Sequence, residues 1–467
     1  SGISFSKLLL CFAFVAYLFF PFFRMLINID SEDISSVISS VSFVPALINS
    51  LKVSVVTTVI SVSLGLILAF CMQRTAIKGK SIFSILLIVP MLIPSISHST
   101  GLIVLFGTNG IINQLLNLDG TIYGFTGIIV GSVLYTYPVA FLMFNDVLKY
   151  QDSSPYEAAQ VLGIPKINRV TAITMPFLLK PLIAAVFSVF TMVITDYGVP
   201  LMIGGKTTTL AVMMYQEVLG QLEFGKGSVI GVLLLIPAVA TFIFNTFFKN
   251  SGKVGYVTKP FDIKRNRMRD GLAYTVFCTI LFCIILLIIA FSLIAFTAKY
   301  PSDMTFTLKN VNKMFKLRGD EYLINSVIIA LCVATIGSAV AFITAYLTSR
   351  IPSKLSQCLH LFSITSLAIP GLVLGLSYSI TFSGSFIYGT LAILVLANVM
   401  HFFASPYQMM YNSLNKMNEN LENVGKTLGI SRIRIIGAVI IPQCKYTLLE
   451  MFYYFVVNSM MTISAVS

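Results

Sequence analysis

Eleven long apolar runs constrain this chain more than any other feature. They lie near 8–28, 45–72, 81–106, 123–148, 177–203, 228–248, 272–297, 323–349, 356–381, 387–414 and 443–467. Each exceeds the roughly eighteen residues that cross a bilayer. Hydrocarbon offers no water to backbone N–H and C=O groups, so a lone spanning segment satisfies them only as a helix. The expected fold class is therefore all-α, a polytopic membrane protein. With 57% hydrophobic residues against 10% charged, the composition excludes an ordinary soluble domain.

Charge orients the spans. The segments 73–80, 149–176, 249–270, 350–355 and 415–445, with Lys7 and Lys180, hold most of the Lys and Arg. The segments 107–122 and 382–388 hold none, and 29–46 carries Asp30, Glu32 and Asp33. By the positive-inside rule the basic set faces the cytoplasm. Counting spans puts the basic loop 299–321 outside, and it is long enough to translocate whatever its charge. The net charge of +13 thus reads as membrane orientation and contact with lipid, with no nucleic-acid partner, because the basic residues are dispersed among spans. The seven cysteines sit mostly in apolar runs with no C-x2-C spacing, as buried thiols do. The first span lacks a small-residue cleavage site and reads as a retained helix.

The chain repeats itself. Leu47-Ile48-Asn49-Ser50 recurs as Leu323-Ile324-Asn325-Ser326, Arg74 as Arg350, and Ile93-Pro94 as Ile369-Pro370, all at a shift of 276 (50 to 326). Pro138 and Pro406 match at 268. A polar insert then recurs at 266 (163 to 429): Glu157-Ala158-Ala159, Gly163, Ile173 and Pro176, against Asn423-Val424-Gly425, Gly429, Val439 and Pro442. The expected organisation is a first membrane domain at 1–248, a cytoplasmic linker at 249–271 that tolerates cutting, and a second membrane domain at 272–467. Both inserts share one side of the membrane, so the halves are parallel repeats of about six spans. At a shift of 266 Ser467 falls on Leu201, after which the first half continues through another span. A twelfth helix is expected beyond this chain.

The insert resembles the E-A-A-x3-G-x9-I-x-L-P loop in permease subunits of binding-protein-dependent ABC importers. In that family the loop is a cytoplasmic coupling helix that docks onto a separate ATPase. The resemblance covers nearly the whole chain and assigns ATPase coupling to Glu157, Ala158, Ala159, Gly163 and Pro176, and to Glu422, Asn423, Gly425, Gly429 and Pro442. Its implied partners are two ATP-binding subunits and an extracytoplasmic solute-binding protein. The location is the plasma (inner) membrane of a prokaryote. ATP and Mg belong to the partner; no cofactor is expected in this chain.

Local chemistry fits the first insert. Ser154 and Glu157 are spaced as a capping box, and Pro155 suits the first helical position. Ala158 and Ala159 favour helix, and Gly163 can take the left-handed conformation that ends it. Lys166 and Arg169 suit anionic headgroups or an acidic partner. The second insert departs from the pattern: Asn423 stands where Glu157 does, with Glu422 displaced by one. Unequal contacts to the two ATPases are expected, with any glutamate contact re-routed through Glu422.

Gly205-Lys206-Thr207 is not a phosphate loop, because Pro200 occupies the position of the first glycine. No catalytic or metal constellation is present in the sequence. Polar residues inside spans are the candidates for a solute pathway. They are Asp196 and Tyr197, which should meet a wet cavity or a polar partner from the second half, with His98, His401, Asn458 and Ser459. Pro90, Pro94, Pro138, Pro237, Pro370 and Pro406 are expected to kink their helices.

Fused permeases of the resembled group carry ferric iron, thiamine or 2-aminoethylphosphonate. The stretches 422–429 and 458–467 look most like the last type. An ion-coupled secondary transporter is the alternative from another class, but it calls for several intramembrane acids, and Asp196 stands nearly alone.

Overall fold

The computed structural model describes residues 2–117, 120–248, 259, 261–418 and 420–462. Eight helices are long and apolar enough to cross a bilayer: Gly2–Ile27, Phe43–Arg74, Ser95–Leu116, Phe125–Lys149, Val170–Ile194, Phe224–Phe244, Arg267–Phe296 and Gly319–Ser349. Three bent pairs bring the number to as many as eleven among the described residues. Lys354–Ala368 turns by 106° into Gly371–Phe382, Leu391–Phe402 by 52° into Ala404–Asn415, and Arg432–Gln443 by 76° into Lys445–Met461. The fold is an all-α polytopic membrane protein. Among the described residues, the one small sheet is an antiparallel hairpin of Thr297–Lys299 and Asp303–Phe306.

Proline sets where spans break. The apolar run 81–106 is two helices, Lys80–Leu92 and Ser95–Phe106, separated at Ile93-Pro94. The matching run in the second half separates at Ile369-Pro370. Ile93 and Ile369 are extended, as steric pressure from a following proline dictates. A short 3₁₀ turn precedes each break, at Val89–Leu92 and Ser366–Ala368. Pro138 and Pro237, by contrast, lie within continuous helices, Phe125–Lys149 and Phe224–Phe248. The run 177–203 also stops early, at Ile194, and resumes as the short helix Gly198–Ile203.

The repeat extends to burial. On Phe43–Arg74 the residues Ser54, Thr57, Ser61, Gly65 and Ala69 are buried, and so are their counterparts 276 further on, Ala330, Val333, Gly337, Ala341 and Ala345. This is one face of a helix, and it is made of small residues. Association in lipid rests on close packing, because the surrounding chains are as apolar as the helices. Ser61 and Thr136 hydrogen-bond at 2.8 Å across the Phe43–Arg74 and Phe125–Lys149 pair. A Cβ on Gly65 would lie 2.7 Å from both the Ala140 Cβ and the Phe141 backbone nitrogen. In the second half, Gly337 is pressed in the same way by the Phe455 ring.

Two compact units form, and they do not follow the sequence halves. One comprises 1–37, 217–238 and 315–467; the other comprises 38–216 and 239–314. Each therefore contains the first span of the opposite half. In the first unit, Lys7 donates to the Ile351 carbonyl at 2.7 Å and to Ser356 Oγ at 2.7 Å, and Tyr378 donates to the Tyr17 carbonyl at 2.5 Å. In the second, Arg267–Phe296 packs on Ser95–Phe106, with Leu287 against Gly101. The expected linker 249–271 is described only at 259 and from 261 onward; the rest of it lies outside the described residues.

Gly65→Val should lower folded yield and thermal midpoint, costing about 1–3 kcal/mol for overpacking against backbone. The same change at Gly271, an exposed helical position with nothing within 4 Å of an added Cβ, serves as the comparison. Melting of both variants in detergent checks this.

Candidate functional site

The two polar inserts fold alike. The first forms the helix Ser154–Val161 and the second Leu421–Thr427. Both end on a left-handed glycine, Gly163 at φ +67° and Gly429 at φ +69°. The same carbonyls are closed: Ile164 donates to Ala159 at 2.9 Å, and Ile430 to Gly425 at 2.8 Å. These six-to-one bonds are the Schellman pattern that satisfies a helix C-terminus. Each loop then leads into a π turn, Val170–Thr174 and Ile436–Ile440, just before Pro176 and Pro442. A proline there cannot donate to the carbonyl four residues back, so the turn widens.

The helix start differs from the expected capping box. Ser154 instead gives its N–H and hydroxyl to Asp152 Oδ1, at 3.0 and 2.9 Å. A carboxylate is the stronger acceptor and outcompetes the more distant box partner. Ser153 takes the N-cap position, and its hydroxyl donates to Glu157 Oε1 at 3.2 Å. The other Glu157 oxygen receives Lys259 Nζ at 2.7 Å. This ammonium, helped by Ser153, holds the Glu157 carboxyl below its ordinary range. The pair is open to solvent and so sets direction more than stability.

In the second loop Glu422 is already spent. Its carboxylate meets the Arg350 guanidinium through two bonds, Nε to Oε1 at 2.8 Å and Nη2 to Oε2 at 2.5 Å, with side chains only 5% and 12% exposed. Burial alone raises the Glu422 pKa, but Arg350 and Arg432 outweigh it and leave the carboxyl below its usual value. Glu422 therefore does not stand in for Glu157, and Asn423 is the exposed residue at that position. The Val424-Gly425 replacement also has a cause. A Cβ on Gly425 would sit 2.1 Å from Ile435 Cδ1, so an alanine there, unlike Ala159 in the first loop, requires the Ile435 side chain to move.

An arginine anchors each loop. Arg74 Nη1 lies 3.5 Å from the Leu148 carbonyl, and Arg350 Nη1 lies 3.5 Å from that of Leu414, its counterpart at 266. Arg350 also reaches the Met417 and Asn418 carbonyls at 3.3 and 2.7 Å. Arg74 instead donates to Gln151 Oε1 and carries the Phe261 ring 3.6 Å from its guanidinium carbon. Sequence reading had noted these arginines only as repeat markers. It also missed Val161, Leu162 and Leu428, which are 88%, 76% and 69% exposed. Apolar tips in otherwise polar loops are the signal that finds them, and they suit a hydrophobic pocket on a partner.

The intramembrane candidates divide between the units. Asp196 bonds within its own half: Oδ1 accepts from Ser95 Oγ at 2.7 Å and from the Gly198 N–H at 3.3 Å, and Oδ2 accepts from Val199 at 3.0 Å. Among the described contacts, the polar partner is thus Ser95 of the first half in place of the one expected from the second, and the carboxylate ties two helix starts together. Tyr197 is buried and stacks on Tyr215 at 4.8 Å. His98 Nε2 donates to the Pro90 carbonyl at 2.9 Å, which also accepts from the Ile93 N–H at 3.2 Å. The cavity beside His98, lined by Ile93, Leu134 and Leu287, is about 10 Å³, room for no more than a water. In the other unit, Asn458 donates to the Tyr454 carbonyl at 2.8 Å. His401 Nδ1 and Ser459 Oγ are buried without a hydrogen-bond partner among the described residues.

Comparison with known proteins accounts for the repeat. The family model described as "Binding-protein-dependent transport system inner membrane component" matches residues 61–252 and 337–467. A ferric transport system permease protein FbpB of Actinobacillus pleuropneumoniae is 26% identical, over 100% of this chain and 71% of its own length. A putative ferric transport system permease protein FbpB 1 of Haemophilus influenzae is 25% identical, over 98% and 76%. A thiamine transport system permease protein ThiP of Haemophilus influenzae is 26% identical, over 43% and 39%.

Two outcomes follow from the geometry. Glu422→Gln should cost about 3 kcal/mol, the low end for breaking a buried pair, because three carbonyls still serve Arg350. A carboxyl whose pKa is depressed by folding contributes stability above its unfolded value near 4.3 and loses it as pH falls through the folded value. Protection factors in the second loop of the wild type, corrected for the intrinsic pH dependence of hydrogen exchange, should therefore fall at acid pH, while those of Glu422→Gln are low already at neutral pH and respond less. Asp196→Asn, which leaves a backbone donor facing an amide, should cost about 1–3 kcal/mol and reduce abundance. Uptake per folded molecule should stay unchanged; a changed rate at full abundance would return Asp196 to the pathway.

Proposed function

The chain belongs to the family of binding-protein-dependent transport system inner membrane components, and on that premise we propose that the solute it passes is ferric iron. Membership makes it a multi-pass inner-membrane permease subunit of an ABC importer. The observation that carries the mechanism is the pair of loops 266 residues apart, with matching glycine caps, closing bonds and π turns.

In this reading the helices Ser154–Val161 and Leu421–Thr427 each dock on an ATPase subunit, with Leu162 and Leu428 entering its surface. ATP and Mg act in those partners. A soluble binding protein delivers the solute from outside, and closure of the ATPases moves the coupling helices so that the permease opens inward. His401 and Ser459, with hydrogen-bonding capacity unspent inside the protein, supply polar contacts for the solute; Asn458 adds its amide oxygen. Asp196, Tyr197 and His98 hold the helix breaks of their own unit.

Iron is favoured by similarity to ferric permeases along essentially the whole chain. A second reading, 2-aminoethylphosphonate, rests on the stretches 422–429 and 458–467, of which 463–467 lie outside the described residues. Vesicles holding the transporter with its ATPase and binding protein separate the two. ATP-dependent accumulation of labelled iron is the expected result, whereas accumulation of labelled 2-aminoethylphosphonate alone transfers the assignment to the phosphonate. Gly163→Val forces a β-branched residue into the left-handed region, at about 1–3 kcal/mol of strain. It should reduce uptake at least tenfold with membrane insertion intact.

A further inference from the structure

The second coupling helix is held by a carboxylate of its own loop, whereas among the described residues no carboxylate pairs with Arg74. What meets Arg74 comes from the linker. The Phe261 ring lies 3.6 Å from the Arg74 guanidinium carbon and 5.1 Å, edge to face, from the Tyr156 ring. Tyr156 is the counterpart of Glu422, and its hydroxyl is bonded to Gln151 Nε2 at 2.7 Å and Thr174 Oγ1 at 2.6 Å. Two residues earlier, the linker backbone pairs with the helix start. Ser153 donates to the Lys259 carbonyl at 3.0 Å, and the Lys259 N–H donates to Asp152 Oδ1 at 3.2 Å. The Lys259 side chain then closes on Glu157.

We propose that Lys259 and Phe261 of the linker are positioning residues for the first coupling helix, doing for Arg74 and Tyr156 what Glu422 does for Arg350. Three kinds of contact converge on one turn: backbone pairing that fixes the helix start, a ring covering the arginine that anchors the loop, and an ammonium that sets the Glu157 rotamer. The covering ring suits a guanidinium, which is weakly hydrated and stacks on aromatic faces. The described part of the link between the halves thereby belongs to the coupling apparatus of the first half. This inference rests on the coupling role proposed above for the Ser154–Val161 helix.

The test uses the full chain. In detergent, Phe261→Leu should speed hydrogen exchange at the 156–161 amides about tenfold and leave 421–428 unchanged, and Phe261→Tyr should restore protection. In vesicles with ATPase and binding protein, Phe261→Leu and Lys259→Glu should lower solute moved per ATP hydrolysed at unchanged abundance. The double change Lys259→Glu with Glu157→Lys should recover part of it. Leu162→Asp separates the two layers of the argument. If Leu162→Asp uncouples but Phe261→Leu alters neither exchange nor the coupling ratio, the linker proposal is overturned and the coupling reading stands. If Leu162→Asp also leaves ATPase association and transport intact, the coupling reading itself falls. Should Phe261→Leu reduce folded protein, Lys259→Glu with its rescue decides the matter alone.

Discussion

Every backbone polar group in the bilayer must find its partner inside the protein, and the broken spans of this chain depend on that requirement being met. Proline withholds one N–H from the turn before it, and a side-chain donor reinforces the carbonyls there. His98 donates to the Pro90 carbonyl, which the Ile93 N–H also serves, and Tyr378 donates to that of Tyr17, four residues before Pro21. Helix ends are served likewise, with Tyr137 donating to Leu87 and Tyr135 to Met192. Asp196 does the converse, accepting from the N–H groups that begin a short helix. Much of the intramembrane polarity that invites a solute-binding interpretation is thus engaged in keeping broken helices in lipid.

The same accounting separates the two coupling loops. Their caps and π turns are alike because glycine and proline recur at the same spacing, and these residues act on backbone geometry alone. Their anchors differ because side chains diverged. A tyrosine faces the arginine of one half through Gln151, and a glutamate meets that of the other directly. A buried bidentate pair needs no help from outside the loop, whereas an aromatic cover has to be brought by another segment. The asymmetry lies in how each helix is held, while both present an exposed leucine at the matching position.

Spans, repeat shifts, glycine caps and the family resemblance were all legible in the sequence, since each rests on hydropathy or on residues with singular backbone behaviour. Helix breaks at Ile93-Pro94 and Ile369-Pro370 were foreseen only as kinks, because proline pattern alone does not distinguish a bend from an interruption. The capping box at Ser154 failed because Asp152, two residues upstream, competes for the same groups. The exchange of first spans between compact units, the capture of Glu422 by Arg350 and the docking of Phe261 are long-range side-chain events. No local periodicity reports them. Asp196 stands out in the sequence as an acid inside a span, yet its partner Ser95, about a hundred residues away, is not visible there.

The central claim is that both loops, unequal in anchoring, dock on the same kind of partner. Single cysteines at Leu162 and at Leu428, cross-linked to the ATPase subunit in the assembled transporter, test it most directly. Both positions should form the adduct, while a cysteine at Lys206, in the loop after the run 177–203 that span counting places opposite the basic loops, should form none. Adducts at Lys206, or none at either leucine, would contradict the account.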